Sequence, residues 1–343
     1  MTNYTWTNGN GTGIWEANGN WNAVGWPDDN TDTAIFNNTS TDNCSTTTVL
    51  SISTLSSLDT YTGTITLGGN LTVSGTTTIT NGTLYLLYSV LTASNINIGA
   101  SGNMIINATL ASAGITLANG ATLSNLGSAI TFLGINFPIV IQSLGTATIT
   151  GNGFDWDSAG AGSEVYIKGL DYQSDLTFGR FAVEISLIGN CKFDEMIIGS
   201  NGTLKLGSYT LTTEGDIEVN GILNAQTGKI KLIGTEQTLN INQTSTGTNW
   251  LYDLEISNVS DAVTTNGNLY ISNNLSGTGY FDLESNILTF KNLTSTDLRI
   301  EVEPEGLVIH TGQKQIKPYQ LPYIKPQLIP MLNIPCKWVS GAR

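Results

Sequence analysis

The chain has 343 residues, 40% of them hydrophobic and 12% charged, with a formal charge of −14. That apolar content excludes a disordered body, and the length admits one large β domain or two smaller ones. All 27 acids fall in residues 1–305 with 8 bases, a balance of −19, which excludes nucleic-acid binding by that part.

Residues 1–45 carry four of the seven tryptophans: Trp6, Trp15, Trp21 and Trp26. Large flat side chains make an efficient lid, each burying ~150–250 Å², so this segment is expected to cap the end of the body. An aromatic platform for carbohydrate is the alternative. Met1 to Trp6 lacks a basic n-region and an apolar h-region, so no secretory signal is expected. Gly9, Gly11 and Gly13 are not a dinucleotide fingerprint, because no strand precedes them and Trp15 and Pro27 interrupt any following helix. Asp28-Asp29-Asn30-Thr31-Asp32 opens like a calcium loop, but Thr33 and Thr39 stand where an EF-hand needs Gly and Glu. A turn with Asp and Asn side chains bonded to their own backbone is expected, with a looser calcium site as the alternative.

Residues 46–305 repeat short phrases. Gly69-Asn70-Leu71-Thr72-Val73 returns in variant form at Gly102–Ile106, Gly215–Val219 and Gly267–Ile271, and Asn81–Leu86 returns at Asn201–Leu206. Each phrase is a turn signal followed by alternating apolar residues, which reads as a strand with one buried face. No segment shows the apolar period of a helix. The class is all-β, and the repetition points to a parallel β-helix, or β-solenoid. Coils of roughly 20–30 residues give about ten turns and a rod of about 50 Å at the ~4.8 Å strand spacing. Two packed β-sandwich domains split near residue 150 are the alternative, because residues 130–200 break the phrasing as a thicker coil or a seam.

The body offers few groups for chemistry. Asp155 and Asp157 are spaced as two carboxylates on one strand face, about 6.5–7 Å apart, as an inverting glycosidase would need. Asp171 and Asp175 follow, but a polar loop is the commoner reason for such a cluster. Cys44, Cys191 and Cys336 make neither a disulfide framework nor a metal knuckle, and are expected as unpaired thiols. No catalytic residue, cofactor or metal is expected.

Residues 306–343 differ from the rest, with five bases and no acid. Pro318, Pro322, Pro326 and Pro330 recur at even spacing among Tyr319, Tyr323 and other apolar residues, and Lys314, Lys317 and Trp338 flank them. Proline favours an extended backbone, and a stiffened segment loses less entropy on docking. These residues are expected to form an assembly arm that binds copies of the chain or other proteins. A strap on its own rod and a disordered tail are the alternatives. The single histidine, His310, falls in this segment, which is a poor scaffold for a catalytic site.

The order Trp6, Gly13, Trp15, Asn20-Trp21, Pro27 and Asp32-Thr33-Ala34-Ile35-Phe36, with the phrase at Gly69–Gly75, resembles bacterial and phage β-solenoid surface proteins. Gly228–Gly234 followed by Tyr252–Ile256 resembles a further unit of that group. The resemblance implies a β-solenoid at a particle or cell surface and no particular activity. With no export signal read, it leads to a non-enzymatic structural protein of a bacteriophage virion: a fibre, spike or capsid decoration that is a homo-oligomer without membrane insertion. A bacterial cell-surface adhesin and a glycan depolymerase are the alternatives, and a host-surface glycan is a further candidate partner.

Overall fold

The computed structural model describes residues 1–311 apart from 59, 108–109, 113, 126–129, 132–138, 146, 152–153, 156–163, 171–174, 244–248, 259–261, 295–296 and 304. The arm residues Lys314, Lys317, Pro318, Tyr319, Pro322, Tyr323, Pro326, Pro330 and Trp338 therefore lie outside the described residues, as do Cys336, Asp157 and Asp171.

The protein is all-β, a parallel β-solenoid of about 11 turns. The chain climbs by winding, so that each short strand lies beside its counterpart one turn later. Ile115 pairs with Ile96 of the turn before and with Ile141 of the turn after. The second of these turns is the longer, so a fixed core tolerates coils of unequal length. The ladder through Gly114–Leu117, Ile139–Ser143, Glu164–Lys168, Glu184–Leu187 and Thr203–Lys205 is unbroken. It crosses the stretch where the phrasing fails, and its parallel register is that of a solenoid rather than of packed sandwiches.

Alternation sets which side chains meet inside. Cys44, Ile65, Leu84, Met104, Leu123 and Ile149 stack in register down one side of the core. Leu176, Met196, Ile217 and Leu239 do so on another. All of these are buried. The outward rows of the first turns are uncharged: Ser56, Thr78, Asn97, Thr116 and Gln142 lie in one file that meets its first base at Lys168.

The Asn or Asp of the repeated phrase has a second role besides turning the chain. The side-chain oxygen of Asn70 accepts the Val90 N–H at 2.8 Å, that of Asp216 the Thr238 N–H at 2.7 Å, and that of Asn268 the Ile287 N–H at 2.9 Å. Each satisfies an amide at the start of a strand one turn later, where the backbone at the corner leaves it without a ladder partner.

Candidate functional site

At the N-terminal end, the Asn3–Thr5 strand pairs with Thr33–Phe36, and Ile14 bridges to Ser45. Above this first turn the tryptophans pack on Phe36. Trp21 is the centre of the group, with ring centroids 5.1 Å from Trp6, 4.9 Å from Trp15 and 5.5 Å from Phe36. Each indole N–H has an acceptor: Trp6 donates to the Asp42 carbonyl, Trp15 to Pro27 and Trp21 to Trp15. Trp6 and Trp15 are fully buried and Trp21 is 4% exposed, so these three present no free ring face to a sugar. Trp26 is half-buried at the margin of the cluster.

Two residues whose structural role the sequence did not reveal hold this end together. Asn20 is fully buried. Its amide donates to Thr12 Oγ1 at 2.7 Å and the Ile14 carbonyl at 2.8 Å, and its oxygen accepts the Asn10 N–H. Glu16 Oε1 accepts the amides of Thr47 and Thr48 and the Thr48 hydroxyl. The Asn20-Trp21 pair was legible as a motif, but nothing local reveals that the asparagine is the buried member holding the loops together.

The other candidates resolve into structure. Asp29 Oδ1 accepts the Thr31 N–H at 2.9 Å, and Asp32 N–H donates to the Asp29 carbonyl. The Thr31 hydrogen bonds lower the Asp29 pKa. This is the self-bonded turn. Among the described residues no three His, Cys, Asp or Glu side chains are grouped to hold a metal. Gly11 and Gly13 have φ of 65° and 67° in a turn closed by Gly11 N–H on the Asn8 carbonyl and Gly13 N–H on Asn8 Oδ1. Asp155 ends a short strand paired with Ile130–Thr131, and Asp175 is exposed. Cys44 and Cys191 face the core, and burial pushes the Cys44 thiol well up and the Cys191 thiol to about 11.

Ion pairs link successive turns in the second half. Glu255 receives Lys229 at 2.8 Å and Lys231 at 2.7 Å on its two oxygens. Partial burial pushes its pKa up, but the two lysine bonds outweigh this and hold it at about 2. Lys192 pairs with Glu214, and Lys205 with Glu184. The segments Gly228–Gly234 and Tyr252–Ile256, noticed in sequence as one unit, are adjacent rungs: Ile230 pairs with Leu254 and Lys231 with Glu255.

The C-terminal end is built differently. The ladder runs on through Leu307–His310, inside the segment read as the arm, and pairs with Ile287–Phe290 of the Ile287–Leu293 strand. His310 at the end of this strand packs its ring against Phe290, with centroids 5.1 Å apart and the planes tilted by 37°. In the preceding turn Phe281, Leu283 and Leu288 are fully buried. Their counterparts Ile300, Val302 and Val308 are only half-buried, and Leu307 and Ile309 are exposed. Glu301, Glu303 and Glu305 are exposed on the same last turn. Among the described residues the Leu307–His310 strand has one ladder partner, so it forms an edge that carries exposed apolar side chains.

No protein-family model, no curated protein and no solved structure matches this chain.

Proposed function

We propose that the protein is a non-enzymatic structural component of a bacteriophage particle, a β-solenoid rod attached through its C-terminal end and the basic segment that follows. The contrast between the two ends supports this reading. The N-terminal end is sealed by a tryptophan cluster whose polar groups are internally satisfied. The C-terminal end carries half-buried core residues and exposed acids, and leads into residues 312–343, with five bases and no acid. A rod with one inert end and one adhesive end is suited to being mounted on a larger body. The long uncharged outer rows suit a fibre, spike or decoration whose sides make contact without strong electrostatic selectivity.

The test is fractionation of the source on a density gradient with this protein followed by mass spectrometry. Co-migration with DNA-containing particles at fixed stoichiometry is the expected result. Co-migration with envelope or cell wall overturns it in favour of an adhesin.

A further inference from the structure

The chain contains nine Asn-Gly pairs. Asparagine is thermolabile, most of all before glycine, which has no Cβ to shield its nitrogen. In the reaction the glycine nitrogen gives its proton to hydroxide and attacks the asparagine Cγ, forming a C–N bond. The side-chain nitrogen leaves as ammonia, taking a proton from water, and a cyclic imide remains. Water then adds to either imide carbonyl and breaks one C–N bond, which leaves aspartate or isoaspartate. Attack requires the nitrogen and Cγ to come within about 3–3.5 Å along the right line. An asparagine side chain or a glycine N–H held by other hydrogen bonds reaches that arrangement only by giving them up.

Most of the pairs are held in this way. Asn8 donates to Asp42 and accepts the Gly13 N–H. Asn10 donates to the Asn18 carbonyl, and the Gly11 N–H donates to the Asn8 carbonyl at 2.7 Å. Asn18 accepts the Gly25 N–H at 3.1 Å. Asn201 donates to the Arg180 carbonyl at 3.1 Å, with the Gly202 N–H on the Gly199 carbonyl at 2.9 Å. Asn220 donates to Glu218 at 2.6 Å, with the Gly221 N–H on the Ile198 carbonyl at 3.1 Å. Asn119 is crowded by the next turn, where a Cβ on Gly145 would lie 2.6 Å from its side chain. Asn81 turns its oxygen to the Gly82 N–H at 2.7 Å, but Asn81 and Gly82 are laddered to Ser101 and Gly102, and the Gly63 carbonyl closes the other side. A backbone fixed on both sides resists the rotation that ring closure needs. Asn152 and Gly153 lie outside the described residues.

Asn266 differs from all of these. It is exposed, and its side chain makes no hydrogen bond among the described residues. The Gly267 N–H has one long contact, 3.4 Å to Thr265 Oγ1. The space around it is open, since a Cβ on Gly267 would meet nothing within 4 Å. We infer that Asn266-Gly267 is a modification site of the folded rod, where the asparagine converts to aspartate and isoaspartate as the protein ages. Isoaspartate adds a carboxylate and lengthens the main chain by a methylene. It would do so at a corner whose neighbours are fixed: the Asn266 N–H donates to the Leu239 carbonyl, and Asn268 accepts the Ile287 N–H. This holds or fails independently of whether the chain belongs to a virion.

Ageing the purified full chain at mildly alkaline pH and mapping its peptides by mass spectrometry tests the inference. Each conversion adds about 1 Da, and electron-transfer fragmentation separates aspartate from isoaspartate. Among the described pairs Asn266 is expected to convert first, at least about tenfold faster than Asn201 and Asn220. In denaturant the rates at these pairs should converge to within about threefold, because the folded constraints are gone. Gly267→Ala, for which the corner has room, should slow conversion at Asn266 by about tenfold. Conversion at Asn266 no faster than at Asn201 or Asn220, or slower than at Asn81, would overturn the inference. The same order of rates in the denatured chain would also overturn it, because the selectivity would then come from the local sequence instead of the fold.

Discussion

Phe36 lies edge to face with Trp21, ring centroids 5.5 Å apart at 74°. Phe36 belongs to the first complete turn and Trp21 to the loop above it, so this contact joins the cap to the core. Trp21 also touches Tyr4, Trp6 and Trp15. Trp21→Ala should cost about 3–5 kcal/mol, the usual range for emptying such a site. Because turns stack as nearest neighbours, the loss should be local. Hydrogen exchange should rise in residues 3–5 and 33–36 while Leu288 to Phe290 stays as in the wild type, and Trp26→Ala, at the half-buried margin, should do less.

The corner asparagines are predicted to carry stability that composition alone would not assign to them. Asn268→Ala removes the acceptor of the Ile287 amide and should lower stability by about 1 kcal/mol. Asn268→Asp keeps the acceptor and should retain most of it. Chemical denaturation of the two variants beside the wild type checks this.

Glu255 gives a pH dependence with a defined sign. Its folded pKa of about 2 lies below its ordinary 4.5. The paired state therefore contributes stability above about pH 4.5, and that contribution is lost as pH falls from 4.5 towards 2. Because the pair is partly solvated, its worth is about 1 kcal/mol. Glu255→Gln should be less stable than the wild type at neutral pH, and the difference should close by about pH 2 in thermal melts across that range.

Cys44 and Cys191 should resist alkylation in the native protein at mildly alkaline pH. Both are buried, and both thiols are pushed towards the neutral form, which is not the nucleophile. Peptide mapping after iodoacetamide should find them labelled only once the chain is unfolded.

The fold was legible from phrases such as Gly69–Val73 because a turn residue followed by alternation is a local code. Leu71 and Val73 are buried and Thr72 is exposed, as the alternation requires. The joint burial of Trp6, Trp15 and Trp21 was legible for a similar reason: large rings so close together along the chain need a common site of burial. The role of Asn20 was not legible, because an asparagine in a stretch rich in Gly and Asn reads as a solvent-facing turn residue unless the loops that bury it are known. Nor was the run of the ladder through Leu307–His310, where the local composition already resembles the arm.

The sequence by itself determined that this chain makes short strands with one apolar face, and that its charge changes sign after Glu305. Those properties depend on near neighbours along the chain. Only the tertiary structure decided the register: that Ile115 meets Ile96 and Ile141, that Glu255 sits with both Lys229 and Lys231, and that Ile300 and Val308 of the last described turn are only half-buried. Each of these depends on residues that belong to different turns. Which residues meet depends on how much chain is spent between successive strands, and that length is set by the closure of the whole turn.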